Sequence, residues 1–539
     1  MGRRTAVVVA GLSLVLAACS SVQQDSSDGH SETNEPASAV VLQEPDTVVI
    51  SSTDPAEVSI RTSEAFYESS DGAIVASEGS ALIAASLAHT YHLPVLVEGE
   101  GTVAELDRLG VEWILTVDIQ EDYEGVEVIP AGSPHAPATQ REAAQSEEEA
   151  TGTETENEKP ERDDRVRIVG GDITAGALVD LEEGEAFIAP EKTDRNLDVD
   201  VQADSETDLL VLTDGQSPAA IGTARAAGAD VMIAPADPRI SPEVIERVAE
   251  RDNVMGIFGT EVPDFEWQLR TAMTGVQLPG GGQTIFDHKR YIALYGAPTT
   301  PALGVLGEQD TPGTIARAEA SAAEYDALTD DTVVPTLEII VTVAAGTEGP
   351  DGNFSHEAPP EQFVELIEAA GEAGQYVVLD FQPGRTDFLT QVQQYEELLK
   401  YPHVGIALDP EWRLGPDEMP LTRIGHVEIS EVNEVVNYLA QFVQDRDLPQ
   451  KLVILHQFQL QMIRDRDQLD LSNPEVALLI HADGQGSQGA KNETWAILHT
   501  DGPEGVMWGW KNFIDEDQPM LSPEETFAIE PMPHFVSYQ

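Results

Sequence analysis

The chain has a single cysteine, at position 19, in 539 residues. A monomer can form no internal disulfide, so its stability must come from burial of apolar surface. Basic residues are scarce: 29 Lys and Arg stand against 97 Asp and Glu, the formal net charge is −68, and only seven of the basic residues are lysine. A surface of that sign repels nucleic acid and anionic lipid head groups, which removes nucleic acid from the partner list. The same composition suits a chain that must stay soluble in salt, where long-range repulsion is screened; a cationic partner is the alternative. Beyond the N-terminal segment, no apolar run reaches the roughly 20 residues of a membrane-spanning helix. No G-x-S-x-G elbow is present to carry a nucleophilic serine. No histidine pair has the H-x-x-x-H spacing of a helical metal site. No metal and no cofactor are expected.

At the N-terminus, Arg3 and Arg4 precede an apolar stretch from Ala6 to Leu16, followed by small residues. That is the pattern of a secretory signal, and the stretch is too short to span a bilayer. Its end, Leu16-Ala17-Ala18-Cys19, resembles the lipobox of bacterial lipoproteins. The resemblance implies that Cys19 is acylated on sulfur, becomes the first residue of the mature chain and holds it on the outer face of the cytoplasmic membrane. An ordinary cleaved signal or an uncleaved membrane helix is the alternative.

Residues 1–19 are therefore read as signal and lipobox, and 20–44, rich in Ser, Asp, Glu and Gln, as a flexible tether. Residues 45–265 contain two similar runs of strand, helix, strand, helix, strand. The first uses Gly72 to Ala76, Ser80 to His89, Pro94 to Val97, Thr102 to Leu109 and Trp113 to Val117. The second uses Leu209 to Leu212, Ser217 to Ala227, Val231 to Ala234, Pro242 to Arg251 and Val254 to Phe258. This order means parallel sheet. Between the copies, residues 132–164 are acidic and poor in apolar residues, and read as a disordered insertion. The stretches AIVASEGSALIAASLAHTYHLPVLVEG and LVLTDGQSPAAIGTARAAGADVMIAP resemble the bacterial cell-wall-binding repeat type 2. That resemblance implies a small α/β module retained on wall polymer, with cell-wall polysaccharide or peptidoglycan as the partner. An α/β domain without wall affinity is the alternative.

Residues 266–283 form a linker with a hinge-like Leu278-Pro279-Gly280-Gly281-Gly282-Gln283 segment, and 284–539 a second domain. Strands are expected at Tyr291 to Gly296, Leu337 to Ala344, Tyr376 to Phe381, Val404 to Asp409, Leu452 to Gln457, Val476 to His481 and Val506 to Trp510, with an eighth in the terminal HFVSYQ. Helices lie between them, including one over Glu431 to Asp445 with Ser430 as N-cap. The fold class is thus α/β, an N-terminal parallel-sheet repeat domain followed by a (β/α)8-type barrel, regular or irregular, with an open doubly wound sheet as the alternative. Segments such as VVLDFQPGRTDFLTQ, GIALDPEWRLGP and WGWKNFIDED are similar to uncharacterised secreted or lipid-anchored actinobacterial proteins. This supports an envelope location and carries no activity.

In such folds, residues just past the strands share a pocket. Here they are Tyr295, Asp380 with Gln382, Asp409 with Glu411 and Trp412, His456 with Gln457, His481 with Asp483 and Gln485, and Trp508, Trp510, Lys511 and Asn512. Carboxylates beside tryptophan, histidine and amides fit a carbohydrate site: aromatic faces stack on sugar rings, amides bond hydroxyls, and paired acids protonate and activate. Asp409 and Glu411, two apart on an extended strand, would point the same way. Their spacing resembles the D-x-E element of several glycoside hydrolases. The expected catalytic set is Asp380, Asp409, Glu411 and Asp483, with Glu411 as acid, Asp409 or Asp380 as base or nucleophile, and Trp412, Trp508 and Trp510 as sugar platforms. In the alternative, Asp409 caps a turn and Glu411 pairs with Arg413. A glycan-binding or scaffold lipoprotein without turnover is the rival function.

Overall fold

The computed structural model describes residues 37–42, 48–119, 123–131, 163, 165–190, 192, 193, 195, 197, 199–202 and 208–539. The signal, Cys19, the tether up to residue 36 and the acidic insertion, Asp163 apart, lie outside them. Among the described residues no helix is long and apolar enough to cross a membrane.

In the C-terminal half, eight parallel strands pair in chain order: Lys289–Gly296, Thr332–Ala344, Tyr376–Phe381, Val404–Leu408, Lys451–Gln457, Val476–Ala482, Met507–Asn512 and Phe535–Tyr538. The eighth also pairs with the first, Tyr291 opposite Phe535 and Leu294 opposite Tyr538, so the sheet closes and leaves no edge in the barrel. The chain is mixed α/β with a TIM-type barrel, and the open-sheet alternative is excluded. One connection is irregular: strands five and six are joined through the short 3-10 turns Leu460–Met462 and Arg466–Gln468 rather than an α-helix.

The strands read as continuous apolar runs because both faces are buried. Ala293, Val334, Tyr376, Val378, Ala407, Leu452, Ile454 and Leu479 fill the interior as one cluster. Their sequence neighbours Leu337, Val377, Leu379, Ile406, Leu408, Val453, Leu455 and Leu478 face outward and pack with helix residues such as Val432, Val435 and Leu439. The helix expected from Glu431 spans Ile429–Gln444; Ser430 lies inside it rather than at its cap. The reason is local, since Val427 and Glu428 pair with Ile463 and Arg464 and the helix departs directly from that short ladder.

Ahead of the barrel, Gly72–Ala76, Val95–Val97 and Trp113–Val117 form a parallel sheet with the first strand in the middle, and Leu209–Thr213, Asp230–Ile233 and Asn253–Phe258 form another with the same order. Glu127–Pro130 extends the first sheet beside Trp113–Val117. The corresponding place in the second sheet is filled by Val49–Ser51, from before the first set, which ties the two together. Helices Ala81–Tyr91 and Pro218–Ala226 pack against each other. Their approach depends on small residues: a Cβ on Gly222 would lie 2.9 Å from that of Ala85. Two expectations need correction. Ala37–Val41, assigned to the tether, forms a strand between Val199–Gln202 and Tyr67–Ser70, because its alternate residues Ala37, Ala39 and Val41 are buried there.

The linker is not a hinge. Leu278 and Ile285 belong to the apolar cluster inside the barrel, below Tyr376 and Leu452 at the strands' N-terminal ends. The glycines between them let the chain turn back, with Leu278 N–H donating to Gly282 O at 2.8 Å. Gln283 N–H donates to Arg239 O at 2.7 Å and its carbonyl accepts from Gln450 N–H at 2.8 Å. The buried Arg239 lies over the Trp267 ring at 4.4 Å and donates to Pro474 O at 3.2 Å. The segment therefore stoppers one end of the barrel. Leu278→Ala and Ile285→Ala should each destabilise the barrel by about 2–5 kcal/mol in urea unfolding; losses below about 0.5 kcal/mol for both, the range of ordinary surface changes, would return the segment to a hinge.

Candidate active site

Above the apolar filling, toward the strands' C-terminal ends, the inner face turns polar. Tyr295 stands beside Glu338, His456 beside His481, and Lys511 beside Ser537 in the strand register. Asp380 and Asp409 come from strand three and the end of strand four; they are 0% and 2% exposed. A chain of charges crosses this layer. Lys511 Nζ lies 3.2 Å from Asp483 Oδ1, Asp483 Oδ2 lies 3.1 Å from His456 Nδ1, and His456 Nε2 lies 2.7 Å from Glu338 Oε1. The Lys511 ammonium also sits 3.7 Å from the Tyr295 ring centre, and Tyr295 O–H donates to Asp380 Oδ2 at 3.0 Å. His481 Nε2 and Ser537 Oγ are 2.7 Å apart. Gly509 makes room for that imidazole, since a Cβ there would fall 2.6 Å from His481 Nδ1.

Burial in this layer separates the protonation of its carboxyls. It raises Asp380 to about 7, Glu338 adding to the effect against the pull of His456 and Lys511. It raises Glu411 to about 7 as well, reinforced by Asp483 and opposed by Lys511 and His456. Asp409 is pushed well above the carboxylate range by burial, then by Glu411 and Asp380. Burial works against Asp483 too, but Lys511 and His456 outweigh it and hold this carboxyl well below its ordinary value. Glu338 is likewise lowered, His456 overcoming burial. In return, Glu338 and Asp483 overcome the burial of His456 and raise its pKa well above the usual value. His481 is lowered to about 3, by burial and then by His456, and is neutral.

The segment after strand four departs from the expected extended geometry. The strand ends at Leu408, and Pro410–Trp412 is a 3-10 turn, because Pro410 has no N–H to continue the ladder. Arg413 pairs with Glu431 at 2.9 Å rather than with Glu411. Gly425 folds back so that its N–H donates to the Glu411 carbonyl at 2.6 Å. Glu411 is held by its backbone while its side chain stays out of that ion pair. Glu411 and Trp412 are half-buried at the rim and the Asp483 side chain, 9% exposed, lies just under it, whereas Asp380, Asp409 and His456 lie beneath.

The structure thus gathers Tyr295, Asp380, Asp409, Glu411, His456, His481, Asp483 and Lys511 in one electrostatically connected layer. Gln382 adjoins it, its Nε2 at 3.5 Å from Tyr295 Oη. Four expected pocket residues point away. Trp508 and Trp510 alternate with Gly509 and Lys511 and face the helix layer, where Trp508 stacks on His499 at 3.8 Å and Trp510 meets Trp495 at 5.6 Å. Asn512 accepts from Trp510 Nε1–H and donates to Thr526, and Gln457 binds Arg466 and the Gln459 carbonyl. Gln485 is exposed on the loop beyond Asp483. Glu338 and Ser537 were not anticipated; the signal for Glu338 was a carboxylate inside an otherwise apolar strand. Three groups could hold a cation: ligand atoms of Glu338, Asp380 and His456 lie within 4.8 Å of one another.

The chain matches no protein-family model and no curated protein. The outward packing of the tryptophans can be checked by stability: Trp510→Ala should cost about 3–5 kcal/mol in urea unfolding, as for other buried aromatics. Trp412→Ala at the rim should stay within about 1 kcal/mol. Equal costs at the two positions would contradict these placements.

Proposed function

We propose that the barrel is a hydrolase of bacterial envelope glycan, with Glu411 donating the proton to the leaving group and Asp483 acting as base or nucleophile. The supporting observation is that these two carboxyls stand at the rim in opposite states. Glu411 is raised to about 7 and so carries a proton below that pH, while Asp483 is held as an anion by contact with Lys511 at 3.2 Å. A proton donor and a carboxylate within electrostatic reach of each other are the pair that glycoside hydrolysis requires. The burial of Asp380 and Asp409 moves the base role from them to Asp483. Trp412, adjacent to Glu411, supplies the aromatic face for a sugar ring.

The N-terminal sequence features support the reading that this chemistry acts at the cell surface. We read Cys19 as a lipid anchor in the outer face of the cytoplasmic membrane and residues 45–265 as wall-retaining α/β units of the cell-wall-binding repeat type 2 kind. One acyl chain binds a bilayer only marginally, so a second contact with the wall would strengthen retention. Cys19→Ala should abolish palmitate labelling in cells and release the protein into the medium. Unchanged labelling would refute the anchor.

Purified wall glycan incubated with the protein should yield new reducing ends, and Glu411→Gln and Asp483→Asn should each lower kcat by about 100-fold or more. Because the acid must be protonated, kcat/KM should fall as pH rises through about 7, the value to which burial and Asp483 lift Glu411 against Lys511, His456 and the further acid Asp380. Turnover by both variants at the wild-type rate would overturn the assignment, and glycan binding without product would assign the pocket to a receptor.

A further inference from the structure

The geometry points to a divalent transition-metal site formed by Glu338, Asp380 and His456 at the floor of the polar layer. These residues come from strands two, three and five, and their ligand atoms lie within 4.8 Å of one another, close enough to share one ion. His456 Nε2 is 2.7 Å from Glu338 Oε1 and 3.9 Å from Asp380 Oδ1, so all three converge on one point. With metal–oxygen and metal–nitrogen bonds near about 2.0–2.2 Å, neighbouring ligand atoms fall roughly in this range.

The surroundings are arranged as they are around metal ligands. His456 Nδ1 faces Asp483 Oδ2 at 3.1 Å, which fixes the proton on Nδ1 and leaves Nε2 as the donor to an ion; a carboxylate behind a ligating imidazole is the usual orienting device. Tyr295 O–H holds Asp380 Oδ2 at 3.0 Å and so orients that carboxylate while leaving Oδ1 free. Among the described residues Glu338 Oε2 and Asp380 Oδ1 have no hydrogen-bond partner, although both side chains are fully buried. An independent third atom points the same way. Asp409 is 2% exposed, follows the inward-facing Ala407 between the strands of Asp380 and His456, and its Oδ1 is also without a partner. Buried carboxylate oxygens normally find a donor. The two orphaned oxygens of Glu338 and Asp380 beside one imidazole, with that of Asp409 in the same layer, are explained by a cation and its bound water. One nitrogen with two carboxylates favours Zn2+ or Mn2+ over Mg2+ or Ca2+, which prefer all-oxygen shells. The rival arrangement is a bare imidazolium between Glu338 and Asp483, with a proton in place of the ion.

The site does not rest on the glycan reading, and its test needs no substrate. The mature chain, dialysed against chelator, is titrated with Zn2+ by calorimetry and with Co2+ by visible absorption. One saturable site per chain is expected, with a Co2+ ligand-field spectrum. Asp380→Asn and Glu338→Gln, confirmed folded by circular dichroism, should each weaken it about 100-fold or more, and Asp483→Asn, behind the imidazole, about 10–100-fold. Should a variant fail to fold, nitrogen-15 spectra of the wild-type His456 ring decide the matter: loss of the Nε2 proton on adding Zn2+ supports the site. Both ring nitrogens protonated at saturating Zn2+, or tight binding unaltered in folded Asp380→Asn, would overturn it.

Discussion

The site is organised by one buried cation. Lys511 reaches into the barrel between Asp483 and the face of Tyr295, and its own backbone carbonyl is held by the Lys491 ammonium at 2.6 Å. Charge placed there keeps Asp483 ionised; Asp483 orients His456, and His456 in turn holds Glu338. Without Lys511 the row of contacts would begin at a buried carboxylate held by His456 alone, and removing one partner of a buried charge is strongly destabilising. Lys511 does not balance the layer, however. Glu338, Asp380, Asp409, Glu411 and Asp483 share it with one lysine and His456, and four of their carboxylate oxygens have no hydrogen-bond partner among the described residues. Such an excess lowers stability and is tolerated where a surrounding frame is rigid and a function requires it.

The frame is built to tolerate it. Strand closure removes the barrel's edges, Leu278 and Ile285 complete the apolar filling at the opposite end, and hydrogen bonds of Gln283 join that stopper to Arg239 of the preceding domain and to Gln450 of the barrel. The apolar layers carry the folding energy, and the C-terminal layer is left for polar groups. Gly509 and Gly405 mark where the interior is tightest: a Cβ on either would meet His481 or the Leu452 carbonyl within 2.6 Å.

The barrel is legible in the sequence because strands buried on both faces are continuous apolar runs, and the polar residue ending each run marks the C-terminal mouth. Asp380, Asp409, His456, His481 and Asp483 are visible for that reason. The side chains that mislead are those for which alternation matters more than proximity to a strand end. Trp508 and Trp510 flank Gly509 and therefore face the helices, while Lys511 between Trp510 and Asn512 faces in; a run of polar and aromatic residues at a strand end hides this two-residue period. Glu338 escapes notice because it lies in the middle of a strand longer than its apolar segment, at a depth where a carboxylate is unexpected. Pairings made across the fold, such as Arg413 with Glu431 and Ala37–Val41 with Val199–Gln202, have no local signature at all.

The polar layer is maintained for function at a cost in stability. Asp409 gives the most direct measure, since its carboxyl is buried, has an unpartnered oxygen and is pushed well above the ordinary range by burial and by Glu411, Asp380 and Asp483, against His456. A carboxyl raised in the folded state makes that state lose stability as pH climbs above the unfolded value of about 3.9. The thermal midpoint of chelator-treated Asp409→Asn should therefore exceed that of the wild type at pH 8, by a margin that shrinks toward pH 4. A variant less stable than the wild type at pH 8 would mean that the layer is structural.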